Sequence, residues 1–401
     1  MSRARLKLSA FVLAASLLGT ACGGGGDDEA APTTVPDYNV SEGVGSKAAE
    51  LRSDLTALLQ EHALLVGLAS AATIGGADAA PATSVLEQNS VALGDVVTRV
   101  YGTPAGPLFV DAWRRHADGL LAFASASLTG DKAVIDKARA DLAPIQAEIA
   151  TVLNGANPQL TEENLLEAFD AYARSVQTAI TAQAKQDATA PSKLKEATDD
   201  MSATAIVLAA GIVKQRPDDF PGALDSTGAA MRAELSSKLQ EHVYLAGLAG
   251  ATVVGGGDPE PVADALEENS LELARAFGTV YGDDVQREFL ALWRQHIDLV
   301  VDFATAARTN DAAGMAKVRG DLDGYRGVIA EFLSKANPNL PARDVERAIG
   351  VHVDSLLRAV TAAAAQDPAR VAKLKEAADH MPGTALFLAT GIARQFPTKF
   401  G

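Results

Sequence analysis

A chain of 401 residues is long enough for two or three domains with proper cores, and one that is 48% apolar but only 5% aromatic fills those cores largely with alanine, the best helix former. A formal charge of −16 with no visible basic stripe excludes a nucleic-acid binder. A single cysteine excludes internal disulfides, so stability has to come from packing.

The first element expected is a secretory signal over residues 1–21. Arg3, Arg5 and Lys7 form a basic head, and an apolar run from Leu8 to Leu18 follows. That run is too short to span a bilayer. The only cysteine, Cys22, ends "LLGTAC", which resembles the bacterial lipoprotein box, although Gly19 stands where that box prefers leucine. The expectation is a lipidated Cys22 at the mature N-terminus, an exported protein on the extracytoplasmic face, and the membrane as partner through the lipid anchor. Residues 22–44, glycine-rich, then acidic, then containing proline, read as a flexible linker.

Beyond the linker the chain repeats itself. His62 and His242 lie 180 positions apart, as do His116 and His296, and the offset then holds without a gap. "LEQNS" at Leu86 returns as "LEENS" at Leu266, and "KLKEA" at Lys193 returns at Lys373. About 40% of aligned positions are identical, far above chance for a repeat of this length. The sequence therefore reads as two homologous domains, 45–221 and 222–401. The fold class expected is all-α, as two tandem up-down bundles of about six helices each.

In the first copy those helices run Ala48–Ile74, Ala82–Tyr101, Gly106–Leu128, Asp131–Leu153, a fifth opening after Thr161, and a sixth from near Pro191 to Gln215. Glycine and proline clusters such as "GGAD" and "NGANP" punctuate them. Thr161 suits an N-cap, with Glu162 and Glu163 at the positive end of the helix dipole. Trp113 and Trp293 are expected in the core, Arg114 and Arg294 beside acidic partners, and Tyr101 and Tyr281 as anchors of the turns they end.

The chemistry-bearing residues are the histidines. His62 occupies a core position in the stripe Leu51, Leu55, Leu58, Leu59, His62, Leu65, Val66, and His116 follows Phe109, Ala112 and Trp113 in the same way. Asn89 shares an apolar face with Leu86 and Leu93. Each copy thus sets His, Asn and His inward on three successive helices, with Asn269 the equivalent of Asn89. Buried polar groups must be paired, so these residues should meet one another, water or a bound species. The second copy adds His352 and His380, where the first has Tyr172 and Asp200. All six histidines fall at four equivalent places.

Imidazoles from facing helices are how bundles bind iron, copper, zinc or haem. The candidate ligands are His242, His296, His352, His380, Glu241 and Met381. The first-copy equivalents are Glu61, His62, His116, Tyr172 and Asp200, with Asn89 and Asn269 as buried support. The competing reading is a hydrogen-bonded layer that sets helix packing. No nucleophile elbow, phosphate loop or distinctive carboxylate pair suggests catalysis.

The segments "LQEHVYLAGLA", "LEENSLELARAFGTVYG", "FLALWRQHIDLVVDFATA" and "ANPNLP" resemble a family of exported bacterial helical domains. These are often duplicated lipoproteins and are sometimes labelled copper amine oxidase-like. The chain has no Asn-Tyr-Asp/Glu, no His-x-His pair and no β-rich region, so the resemblance implies an exported helical module and no oxidase. The sequence reads as a non-enzymatic binding module, with a transition metal as the candidate cofactor and no identified protein partner. A structural or protein-interaction module of the cell envelope is the main alternative, and a di-metal or haem enzyme is a third.

Overall fold

A computed structural model describes residues 42–401. The signal segment, Cys22 and nearly all of the linker lie outside the described residues. Within them every regular element is helical and no strand is present.

The first half comprises α1 (Glu42–Gly45), α2 (Lys47–Ile74), α3 (Ala80–Tyr101), α4 (Ala105–Ser127), α5 (Lys132–Ala140), α6 (Leu142–Ala156), α7 (Glu162–Ala184) and α8 (Ala190–Gln215). The second comprises α9 (Thr227–Val254), α10 (Glu260–Tyr281), α11 (Asp283–Arg308), α12 (Ala312–Ala336), α13 (Ala342–Ala364), α14 (Arg370–Asp379), α15 (Met381–Gln395) and α16 (Pro397–Phe400). α2, α3 and α7 lie 180 positions before α9, α10 and α13, end for end.

Apart from the four-residue α1 and α16, the two halves depart from six helices each by one split segment apiece, and a proline explains both. The fourth segment of the first half breaks at Asp141, where Pro144 cannot donate a backbone bond to Ala140. Its counterpart in the second half is Gly324, inside the unbroken α12. The sixth segment of the second half breaks at His380, ahead of Pro382, whose counterpart Ser202 sits inside the unbroken α8.

Caps follow the sequence. Thr161 takes an extended backbone and its hydroxyl accepts from the Asn164 amide, while Ser46 and Ser226 cap α2 and α9 in the same way.

α2 and α9 are the axis of the molecule. Each packs on the other and on at least three helices of its own half. Both are therefore apolar nearly all round, with buried residues on every face. α2 is long and apolar enough to cross a membrane, yet 67% of the qualifying window is buried inside the protein. Its composition is that of a central core helix.

The buried apolar residues of both halves form one continuous cluster. Trp113, Phe123, Phe303 and Leu65 are among its fully buried members, each contributing about 1.5–3 kcal/mol of transfer free energy.

Two glycines set how closely the flanking helices approach this axis. A Cβ on Gly67 would lie 2.4 Å from Leu194 Cδ2, and one on Gly247 would lie 2.3 Å from Leu374 Cδ1. Leu194 and Leu374 therefore seat directly on α2 and α9, and the lysines that follow them are carried to the boundary between the halves.

Candidate metal centre

The dipeptide Glu-His on each axial helix splits its two side chains between two environments. Successive helical residues point about 100° apart. His62 and His242 turn into the core of their own half. Glu61 and Glu241 turn toward the other half.

In the second half α9, α11 and α13 deliver His242, His296 and His352 to one point. All three are at least 97% buried, and one ligand atom of each lies within 4.8 Å of the others. Ring centroids are 5.6 Å apart for His242–His296 and His242–His352, and 5.3 Å for His296–His352. His296 Nε2 and His352 Nε2 approach to 3.3 Å.

Burial drives the imidazoles to their neutral form. His242 is held well below its ordinary range by burial and by its two neighbours, and His296 by burial and His352. His352 falls to about 4, through burial and then His380. Neutral imidazole is the form that binds metals.

Four ring nitrogens here have no hydrogen-bond partner: both of His242, and Nδ1 of His296 and His352. Trp293 Nε1 and Tyr325 Oη, on rings packed against the cluster, are also unpartnered. Leaving such groups dry and unpaired costs about 1–3 kcal/mol each.

The first half builds a related cluster with a different outcome. His62, His116 and Tyr172 converge with centroids 5.7, 6.0 and 5.9 Å apart. Here Trp113 Nε1 donates to His62 Nδ1 at 3.2 Å, a bond that Trp293 and His242 do not make. Burial lowers His116 to about 4 and pushes the Tyr172 phenol up, so the cluster holds two neutral imidazoles and a neutral phenol.

Several candidates stand elsewhere. Glu241 is fully buried but faces the first half, near Lys195 Nζ at 3.8 Å and Lys238 Nζ at 3.3 Å. It accepts from Asn269, Thr198 and Gln60. Glu61 mirrors it, accepting from Asn89, from Tyr244 and from Lys375 at 3.2 Å. Burial raises both carboxyls above the ordinary range, and the lysines offset only part of that rise. The two glutamates are therefore boundary groups and lie outside the imidazole trio.

The asparagines change role with them. Asn89 and Asn269 are buried as the stripe implied, but they donate to Glu61 and Glu241 and to the carbonyls of Leu58 and Lys238, away from the histidines. His380 is half-buried at the α14–α15 break and is not one of the trio; Met381, next to it, is buried. Asp200 is half-buried at the matching place in α8.

Lys195, Lys375 and Tyr244 complete the boundary, and the sequence reading missed all three. The repeated "KLKEA" was the available signal: a lysine one residue after a leucine that seats on an axial glycine must reach the axis.

Comparison with protein-family models, with curated proteins and with solved structures finds no match to this chain.

Proposed function

We propose that this is an exported, lipid-anchored envelope protein whose second half binds one transition-metal ion through His242, His296 and His352, without catalysis. The observation that carries the reading is the trio itself: three buried neutral imidazoles from three helices, with one ligand nitrogen of each within 4.8 Å of the others and both nitrogens of His242 unpartnered. Two nitrogens bound tetrahedrally at about 2.0–2.1 Å stand roughly 3.4 Å apart, close to the 3.3 Å between the His296 and His352 Nε2 atoms. A set of three imidazoles with no thiolate suits zinc, copper or iron. The export and anchoring rest on the basic head, the apolar run and the lone Cys22.

The packing reading draws its support from the first half, where Trp113 donates to His62 Nδ1 and a phenol replaces the third imidazole, and where the same fold holds His62 Nε2, His116 Nδ1 and Tyr172 Oη unpartnered. That cluster is taken here as structural.

The test is metal content of the untagged chain after incubation with zinc, copper and iron. The expected result is near one ion per chain, lost in His352→Tyr with helical circular dichroism unchanged, because the first half already houses a tyrosine at that place. No bound metal in the parent chain sinks the proposal and leaves the histidines as packing groups.

A further inference from the structure

A second site, independent of the metal reading, lies on the outside of the first half. α5, α7 and the start of α8 enclose a cleft of about 510 Å³. Arg139, Arg174, Lys185 and Lys193 line it, against one carboxylate, Asp187. On a chain with 51 acidic and 35 basic residues, four cations against Asp187 and the Asp136 that pairs with Arg139 is still a local reversal of sign. Like charges gathered this way repel unless something neutralises them.

The cations are placed rather than scattered. Arg139 Nε donates to Gln177 Oε1 at 2.9 Å, its guanidinium lies 5.6 Å from the centre of the Phe123 ring, and its Nη1 donates to Asp136 Oδ1 at 3.3 Å. Its fork is thereby held at the cleft. Asp187 is engaged locally, accepting from the backbone and hydroxyl of Thr189, which keeps its carboxyl below the ordinary range.

The other half keeps Arg319, Lys373 and Asp367 at the places of Arg139, Lys193 and Asp187, with Arg319 5.1 Å from the centre of the Phe303 ring, but it has lost the two cations between them. Arg174 corresponds to Asp354 and Lys185 to Ala365. Asp354 is neutralised internally by Arg326, where the first half has Gln146. The same backbone therefore folds without Arg174 and Lys185, so the fold does not require those two charges.

We infer that this cleft binds a phosphate-bearing anion. Guanidinium forks match phosphate oxygens two at a time, and the flanking ammonium groups add point charge. A free phosphate and the headgroup of an anionic lipid present the same chemistry.

The experiment titrates the full chain with inorganic phosphate by calorimetry and, separately, with vesicles of phosphatidylglycerol against phosphatidylcholine. Arg174→Asp/Lys185→Ala, which writes the second half's residues into the first, is the comparison, with circular dichroism checking its fold. Saturable phosphate binding weakened roughly tenfold or more in the variant supports a free anion. A preference for phosphatidylglycerol that the variant loses, without phosphate binding, supports the headgroup. Neither response in the parent chain, or a variant that binds as the parent does, overturns the inference.

Discussion

The two histidine clusters begin from the same helices and finish as different chemistry. In the first half Trp113 donates to His62 and Tyr172 fills the third place. In the second, Trp293 makes no such bond, His352 fills the third place, and His242 keeps both nitrogens unpartnered. One substituted ring and one unmade hydrogen bond separate the two, although His62 Nε2, His116 Nδ1 and Tyr172 Oη of the first half are unpartnered as well. Burial makes the difference matter, because an imidazole nitrogen left dry needs a cation or a donor.

The sharpest way to break the comparison is to exchange the third ring. His352→Tyr should remove metal binding altogether, and the reverse change, Tyr172→His, gives the first half three imidazoles. Metal content of each variant measures both. Retention of full stoichiometry by His352→Tyr would place any bound ion somewhere other than the trio.

The boundary between the halves offers the next largest effect. Glu61 meets one lysine, Lys375, whereas Glu241 has Lys195 and Lys238. Lys375→Met leaves a buried carboxylate without a cation and should cost about 3–5 kcal/mol. Lys195→Met should cost less, since Lys238 stays at 3.3 Å from Glu241. Denaturant unfolding of the two variants ranks them, and equal losses would contradict this asymmetry.

Acidification tests the packing role of the first cluster. His116 ionises at about 4 in the fold, against 6.5 for an exposed histidine. The unfolded chain binds the extra proton between those values, so this group's contribution is complete above pH 6.5 and declines as pH falls toward 4. From pH 7 to 4.5 the loss is about 2.5 kcal/mol. His116→Gln should flatten the pH dependence of unfolding by about that amount, and an unchanged slope would mean His116 is charged in the fold.

A smaller effect is expected where helices touch the axis. Gly67→Ala drives a methyl into Leu194 and should cost about 1–3 kcal/mol in thermal unfolding. Smallest of all are the outer pairs. Arg114 with Glu87 and Arg294 with Glu267 are both solvent-facing. Alanine at either arginine should change stability by less than about 1 kcal/mol.

Much of this was legible in the sequence. Alanine content and the 3.6-residue stripes specified helices, and glycine and proline clusters placed their ends within a few residues. Thr161 capped where it was expected, and both tryptophans entered the core beside paired arginines. The inward turn of His242, His296 and His352 followed from helical periodicity alone.

What periodicity could not supply was the partner of each inward group. Asn89 lies on a buried face, but only the packing of α3 on α2 turns its amide toward Glu61. Glu241 adjoins His242 in sequence, yet the angle between successive residues sends it to the other half of the molecule. Lys195 and Lys375 look like surface residues until Gly67 and Gly247 let their helices close on the axis. The sequence by itself determined which residues are helical and which face is apolar, because those depend on neighbours three and four positions away. Tertiary structure alone decided which buried charge meets which, because those contacts join residues as far as 314 positions apart, as Lys375 and Glu61 are.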